Sequence, residues 1–325
     1  VRLLLTGGTG FLGGHLTARL RPDHDVVRLV RRDGGDGDLR GDVLDLDSLT
    51  AAMEGCDAVV HAAGGVGHAP ADASRMYDVH VTGTENVLAA ARSAGVKRVV
   101  HVGSSGTVAV SSRPGHVGVE TDPDPLEVVA RWPYYRAKLF AEQAMLAADD
   151  LDVVVLSPSL LLGPGDERGG ATRAVRYLLD GDVPAAPPGG ISFVDVRDVA
   201  DAVAEALDRH ARGRFLLGAA NWTFADFYAR IARIAEVPAP AVRLPKATRR
   251  LLGLLPGVDP TRLELGPLGG FGRATREDLE FGCYWWWVDS GRARAELGWT
   301  PRDPGRTLAD TIEHIRAEPH GRGTP

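Results

Sequence analysis

The chain opens with VRLLLTGGTGFLGGHLTARL, residues 1–20, and the fold turns on how this stretch is read. Val1 to Leu5 form a short apolar run ending at Thr6 and Gly7, the pattern of a central parallel strand covered on both faces. Phe11, Leu12, Leu16 and Leu20 then recur at helical spacing. Between strand and helix lie Gly7, Gly10 and Gly13, spaced GxxGxxG. Gly7 permits a tight turn, Gly10 lets backbone approach a pyrophosphate, and Gly13 lets the helix pack close to the strand. The helix N-terminus adds free N–H groups and a partial positive charge for the phosphates. With Thr9, Phe11 and Leu12, these glycines form the expected contact for a dinucleotide.

Outward from this unit, DVVRLVRR at 25–32 is a second strand, and its end decides which dinucleotide fits. A carboxylate there accepts hydrogen bonds from the ribose 2′-OH of NAD, whereas arginine accommodates the 2′-phosphate of NADP. Arg31 and Arg32 stand at that end, with no acid until Asp33. Their forked guanidinium groups match a phosphate, so NADP(H) is the preferred cofactor, with NAD(H) as the second option.

Strand and helix keep alternating. DLDSLTAAMEG (45–55) is a helix of about 8 residues by its Asp/Ser start and Gly stop. CDAVVHAAG (56–64), KRVVHVGSS (97–105) and LDVVVLSPSLLLG (151–163) are strands. ASRMYDVHVTGTENVLAAARSAG (73–95) is one long helix stopping at Gly95, and PYYRAKLFAEQAMLAA (133–148) is another. This alternation predicts an α/β fold, a Rossmann-type doubly wound parallel sheet over residues 1–160. After Gly163, Pro and Gly become frequent and the alternation breaks up. Residues 161–317 are therefore expected to be mainly a smaller, irregular C-terminal substrate-binding domain, with segments that return to the sheet. In it ISFVDV (191–196) and RFLLG (214–218) read as strands, and 197–210 and 223–236 as helices. Residues 318–325 read as a disordered tail.

Composition narrows the function. The chain has 325 residues, is 44% hydrophobic and 25% charged, and carries a net charge of −6, as expected of a soluble globular protein without a nucleic-acid partner. No apolar run approaches a membrane span, and the first residues already read as a buried strand rather than a signal peptide. Cys56 and Cys283 show no CxxC spacing, which fits a reducing cytoplasm, and the ten histidines form no metal-ligand pattern.

RWPYYRAKLF (131–140) carries the chemistry. Lys138 is one of only three lysines, with Lys97 and Lys246, among 37 basic residues. Tyr134 lies four residues before it and shares its helix face, whereas Tyr135 points about 100° further round. A phenol with its ordinary pKa near ~10 is a poor proton carrier at neutral pH. A nearby ammonium, with an oxidised nicotinamide, is expected to bring it closer to a usable range. A compact ammonium on a flexible stem also reaches ribose hydroxyls.

With these residues the chain resembles the extended short-chain dehydrogenase/reductases. The matching pieces are TGGTGFLG, GDVLD at 41–45, VVHAAG at 59–64, VHVGSSGTV at 100–108 and YYRAK, spread over residues 1–160. The resemblance implies a catalytic Ser or Thr after the fifth strand, best matched by Ser105 with Ser104 one step back, acting with Tyr134 and Lys138. It implies that Asp42 and Val43 contact adenine and that Ala62, Ala63 and Gly64 line the nicotinamide side. Pro158, Ser159 and Leu160 are implied over the carboxamide. His80 stands where the family's asparagine helps shape the site, which leaves open a proton relay or a packed, satisfied side chain.

The second half resembles the branch of dihydroflavonol reductases and hopanoid-associated epimerase-type proteins through SSGTVAV, FVDVRDVADAV and YWWWVDSGRARAELGWTPR. Gly106 and Thr107 replace the acidic pair of sugar-nucleotide dehydratases, and GGISFVDV lacks the Arg-Asp-aromatic run of sugar-nucleotide epimerases. Both departures count against a nucleotide-sugar substrate. In CYWWWV, alternate rings face opposite sides. Trp285 and Trp287, with Ser104 and Thr107, are candidates for the substrate wall, packing of the rings against the sheet being the other reading. The expected activity is NADPH-dependent reduction of a small or medium hydrophobic carbonyl compound, polycyclic or aromatic ones included, or the reverse alcohol oxidation, in bacterial biosynthetic tailoring. An epimerase or isomerase using the nucleotide transiently, and a non-catalytic NADP-binding sensor, are the alternatives. Partners are confined to a small-molecule substrate, with no membrane, in a cytoplasmic monomer or homodimer.

Overall fold

The computed structural model describes residues 1–32, 34–67, 69–254 and 275–318. Asp33 and residues 319–325 of the expected tail lie outside the described residues. Five strands, β1 (Arg2–Thr6), β2 (Asp25–Val30), β3 (Leu39–Arg40), β4 (Ala58–His61) and β5 (Arg98–Val102), join Asp152–Pro158 and Gly213–Leu217 in one sheet. Its order is Gly213–Leu217, Asp152–Pro158, β5, β4, β1, β2, β3, and every neighbouring pair is parallel. The order reverses between β1 and β4, so their carboxyl ends form the crevice in which open α/β sheets bind ligands.

Both faces are covered because the strands are apolar on both faces. Leu3, Leu5, Val60 and Val100 pack under α1 (Phe11–Leu20) and the helix Val196–Asp208. Leu4, Val59 and Val99 pack on the other face under α2 (Leu46–Met53) and the helix Gly83–Ala94. Caps mark these helices: Asp45 accepts from the N–H groups of Asp47 and Ser48, and Gly95 closes its helix at φ 75°.

Two elements differ from the sequence reading. The strand expected over 151–163 divides at Ser159. Asp152–Pro158 stays in the large sheet, and Leu160–Leu162 pairs with Gly190–Asp195 in a second one. Pro158 has no N–H to continue the first ladder, so the chain leaves it there. The long helix over 73–95 contains a π-turn, Asp78–Thr82, between Ala73–Tyr77 and Gly83–Ala94. The second sheet runs Ala220–Thr223, Gly190–Asp195, Trp285–Val288, Val117–Gly118, around a core rich in aromatic rings. No helix among the described residues is long and apolar enough to cross a membrane.

Candidate active site

The glycine loop is shaped by close backbone approach. Gly7 has φ +75°, and a Cβ there would lie 2.6 Å from the carbonyl of Ala62 and the nitrogen of Ala63. At Gly13 a Cβ would lie 2.1 Å from the Gly7 carbonyl oxygen, so only glycine lets α1 start this close to the loop. The close partner of Gly13 is thus the loop itself. Gly10 begins α1 without a side-chain cap and with no acid in the first turn, which leaves the N–H groups over Phe11 to Gly13 for an anion. Thr9 is exposed beside them, and Phe11 and Leu12 anchor the turn in the core beneath. A cradle that any Cβ would fill, at an uncapped helix start, fits the pyrophosphate of a dinucleotide.

At the end of β2, Arg31 and Arg32 are exposed and have no ion-pair partner among the described residues. A third arginine, Arg28, lies against Gly8 and is held by Asp38 in a two-pronged ion pair at 2.7 and 2.6 Å. Asp42 turns its carboxylate back to the Leu44 N–H at 3.0 Å, and Val43 is buried with its carbonyl held by Asn86 at 3.0 Å. Ala62 and Ala63 follow β4, where the Thr6 backbone carbonyl and hydroxyl accept their N–H groups at 3.2 Å each. Pro158, Ser159 and Leu160 occupy the switch between the two sheets.

His80 sits in the π-turn, buried, with Nε2 2.8 Å from the Gly65 carbonyl and its ring edge-on to Tyr134 at 5.5 Å. A Cβ on Gly64 would lie 2.6 Å from the ring. Burial pushes its pKa down to about 3, so His80 is a packed, neutral side chain bonded to the loop after β4.

The end of β5 meets the helix Pro133–Leu146. The Tyr134 hydroxyl shares a hydrogen bond with Ser104. The Lys138 ammonium donates to the Val102 carbonyl at 2.7 Å, two residues before that serine. Of the two candidate serines, Ser104 is the one that meets Tyr134. Ser104 has extended backbone and caps a 3-10 turn over Ser105–Thr107, its Oγ accepting from the Gly106 N–H at 3.3 Å. Ser105, buried beside it, is the first residue of that turn. Thr107, the other candidate in this turn, points inward. It is fully buried, and its hydroxyl lies 2.7 Å from both the Ser104 carbonyl and the Glu142 carboxylate.

Burial dominates the electrostatics. It pushes Tyr134 up to about 12, against the hydrogen bond from Ser104, and it lowers Lys138 to about 8, against the attraction of Glu142. The expectation of a lysine-lowered phenol is therefore not what the protein chain alone produces. Lys138 is directed at the Val102 carbonyl, and desolvation of the phenol is the larger effect. Tyr135 stays edge-on to Tyr134 at 5.0 Å but turns its ring to Trp286 at 4.9 Å and Trp132 at 6.2 Å.

The Trp run alternates as expected. Tyr284 and Trp286 are buried, Trp286 stacks on Phe281 at 4.2 Å, and it lies beside the turn at Gly106. Trp285 and Trp287 occupy the opposite face, 4.6 Å apart, with the Trp287 indole N–H bonded to the Trp222 carbonyl at 3.0 Å. The rings against Gly106, in the turn that Ser104 caps, are thus Tyr135 and Trp286. The sequence reading also missed Glu142, whose signal was its place four residues after Lys138 on the same helix face. Among the described residues, no group of three or more His, Cys, Asp or Glu side chains is placed to hold a metal ion.

Comparison with known proteins places the chain in a family. The profile of the NAD dependent epimerase/dehydratase family matches residues 3–218. Sterol demethylase protein B of Methylococcus capsulatus is 30% identical over 328 residues, covering 96% of this chain and 98% of that protein. A dihydroflavonol 4-reductase-like protein of Synechocystis sp. is 30% identical over 325 residues, covering 95% and 92%. Among solved structures, gox2253 superimposes with a TM-score of 0.79 at 27% identity, over 97% of each chain.

Proposed function

The chain belongs to the NAD dependent epimerase/dehydratase family, within the extended short-chain dehydrogenases/reductases, and from that premise we propose that this NAD(P)-dependent enzyme is an NADPH-dependent ketoreductase acting on a hydrophobic carbonyl compound. One observation carries the reading: a partly buried tyrosine, hydrogen-bonded to Ser104, one helical turn before a buried lysine.

The nicotinamide, when bound, supplies the hydride or accepts it in the reverse direction. The rest falls to the protein. With its pKa pushed up to about 12, Tyr134 is protonated at neutral pH and donates its proton to the carbonyl oxygen as negative charge develops there. Ser104 donates a hydrogen bond to the same oxygen and takes the role first assigned to Ser105. Lys138 keeps a positive charge beside the site and reaches the ribose. Arg31 and Arg32 receive the 2′-phosphate, and the glycine loop with the start of α1 receives the pyrophosphate. The rings around Trp286, and the sterol named in the Methylococcus relative, support an apolar, polycyclic or aromatic substrate in biosynthetic tailoring.

A panel of hydrophobic ketones, scored for NADPH and NADH oxidation, tests the proposal. Stoichiometric NADPH consumption with at least one ketone is expected. Nucleotide retained through purification, with product isomerised and none consumed, would instead establish an epimerase that oxidises its substrate transiently.

A further inference from the structure

Behind Lys138 lies a buried carboxylate that the proposed chemistry does not use. Glu142 is one turn further along the helix Pro133–Leu146 and is fully buried. Arg214, from the edge strand Gly213–Leu217, forms an ion pair with it. Ser157 Oγ donates to it at 3.4 Å, and the Thr107 hydroxyl lies within hydrogen-bonding distance of both Glu142 and the Ser104 carbonyl. Arg214 is anchored in turn by the Glu120 carbonyl at 3.2 Å and by Asp124 at 3.8 Å.

The groups facing Lys138 come from four elements. Tyr134 and Glu142 lie on its own helix, His61 on β4, His101 on β5 and His80 in the π-turn. The three histidines are buried and neutral, so Glu142, one turn along the same helix, is the acidic group among the described residues that attracts the buried ammonium. Burial pushes its own pKa up, and the Arg214 ion pair and the Thr107 hydroxyl oppose that and favour the carboxylate. The same carboxylate reaches the turn that carries Ser104 through Thr107.

We propose that Glu142 is a positioning residue for the proposed reduction: it keeps the Lys138 ammonium charged at the working pH and, through Thr107, fixes the turn that presents Ser104 to Tyr134. The inference rests on the ketoreductase reading. Two variants separate its halves. Glu142→Gln keeps the size and an acceptor for Thr107 but removes the charge; Thr107→Val removes the tie to the turn and leaves the charge.

Two readouts are followed against pH. One is kcat/KM for ketone reduction; the other is NADPH affinity by fluorescence titration, which needs no turnover. In Glu142→Gln the alkaline fall of both moves to lower pH by about one unit or more. In Thr107→Val kcat drops roughly three- to tenfold with the fall unmoved. Should Glu142→Gln fail to fold around an uncompensated Arg214, Glu142→Gln with Arg214→Met removes one charge of each sign, and the same displacement is expected. An alkaline fall at the wild-type pH in a folded Glu142 variant overturns the inference. A displaced affinity curve in a protein that reduces no ketone upholds it and sinks the ketoreductase reading instead.

Discussion

Ser104 and Ser105 differ by one position and by everything that matters for a hydroxyl. Ser104 is extended and faces Tyr134, whereas Ser105 begins a 3-10 turn. Ser104→Ala is therefore expected to lower kcat by ~10²-fold, the scale of losing one donor to a developing oxyanion, with Ser105→Ala close to wild type. Steady-state kinetics on the two variants check it. Lys138 carries the second residue-scale consequence. Its pKa falls from the ordinary 10.5 to about 8 on folding, so between those pH values the unfolded chain binds the extra proton and stability rises with pH. Below pH 8 the burial penalty is at its full size, on the order of 3 kcal/mol. Lys138→Met should thus be inactive yet melt higher than wild type at pH 7, with the gap closing by about pH 10; thermal melts across pH test this. Reduction itself needs Lys138 charged, so kcat/KM should fall as pH rises through about 8, well before Tyr134 titrates.

At the scale of elements, the strand–loop–helix at residues 1–20 was legible because its demands are local. A positive φ at Gly7 and backbone contact at Gly13 admit one residue type, so the spacing alone identifies them. Tyr134 was separable from Tyr135 for a similar reason, since helical geometry alone puts it over Lys138. The serine was not, because which of two adjacent residues faces the helix depends on where β5 ends and its turn begins. In the Trp strand alternation was readable, but the partner that selects the inner face lies far away in sequence, at Trp132, Tyr135 and Phe281. Glu142 escaped because a glutamate on a helix reads as solvated until Arg214, from a strand 72 residues on, is seen to reach it. The end of β2 carries the cofactor prediction. Exchanging Arg31 and Arg32 for Asp together should weaken NADPH binding by ~10²-fold and leave NADH within a few-fold, the size of two charge-assisted hydrogen bonds; nucleotide titrations decide it.

Over the whole molecule, the parallel sheet brings the glycine loop, the end of β4 and the end of β5 to one edge. The second sheet leaves the first at Ser159 and returns its Trp286 to the turn beside Ser104. The proposed chemistry thus sits where two cores meet, with a polar Ser–Tyr–Lys–Glu row on one side and aromatic rings on the other. Proton transfer by Tyr134 is the claim on which this account depends most. It is tested most directly by NADPH-coupled reduction of the best ketone from the panel, measured for wild type, Tyr134→Phe and Tyr135→Phe at pH 7. In Tyr134→Phe kcat is expected to fall by ~10²–10⁴-fold with NADPH binding retained, and in Tyr135→Phe by less than about fivefold. Unchanged turnover in Tyr134→Phe, or the large loss appearing in Tyr135→Phe alone, would contradict it.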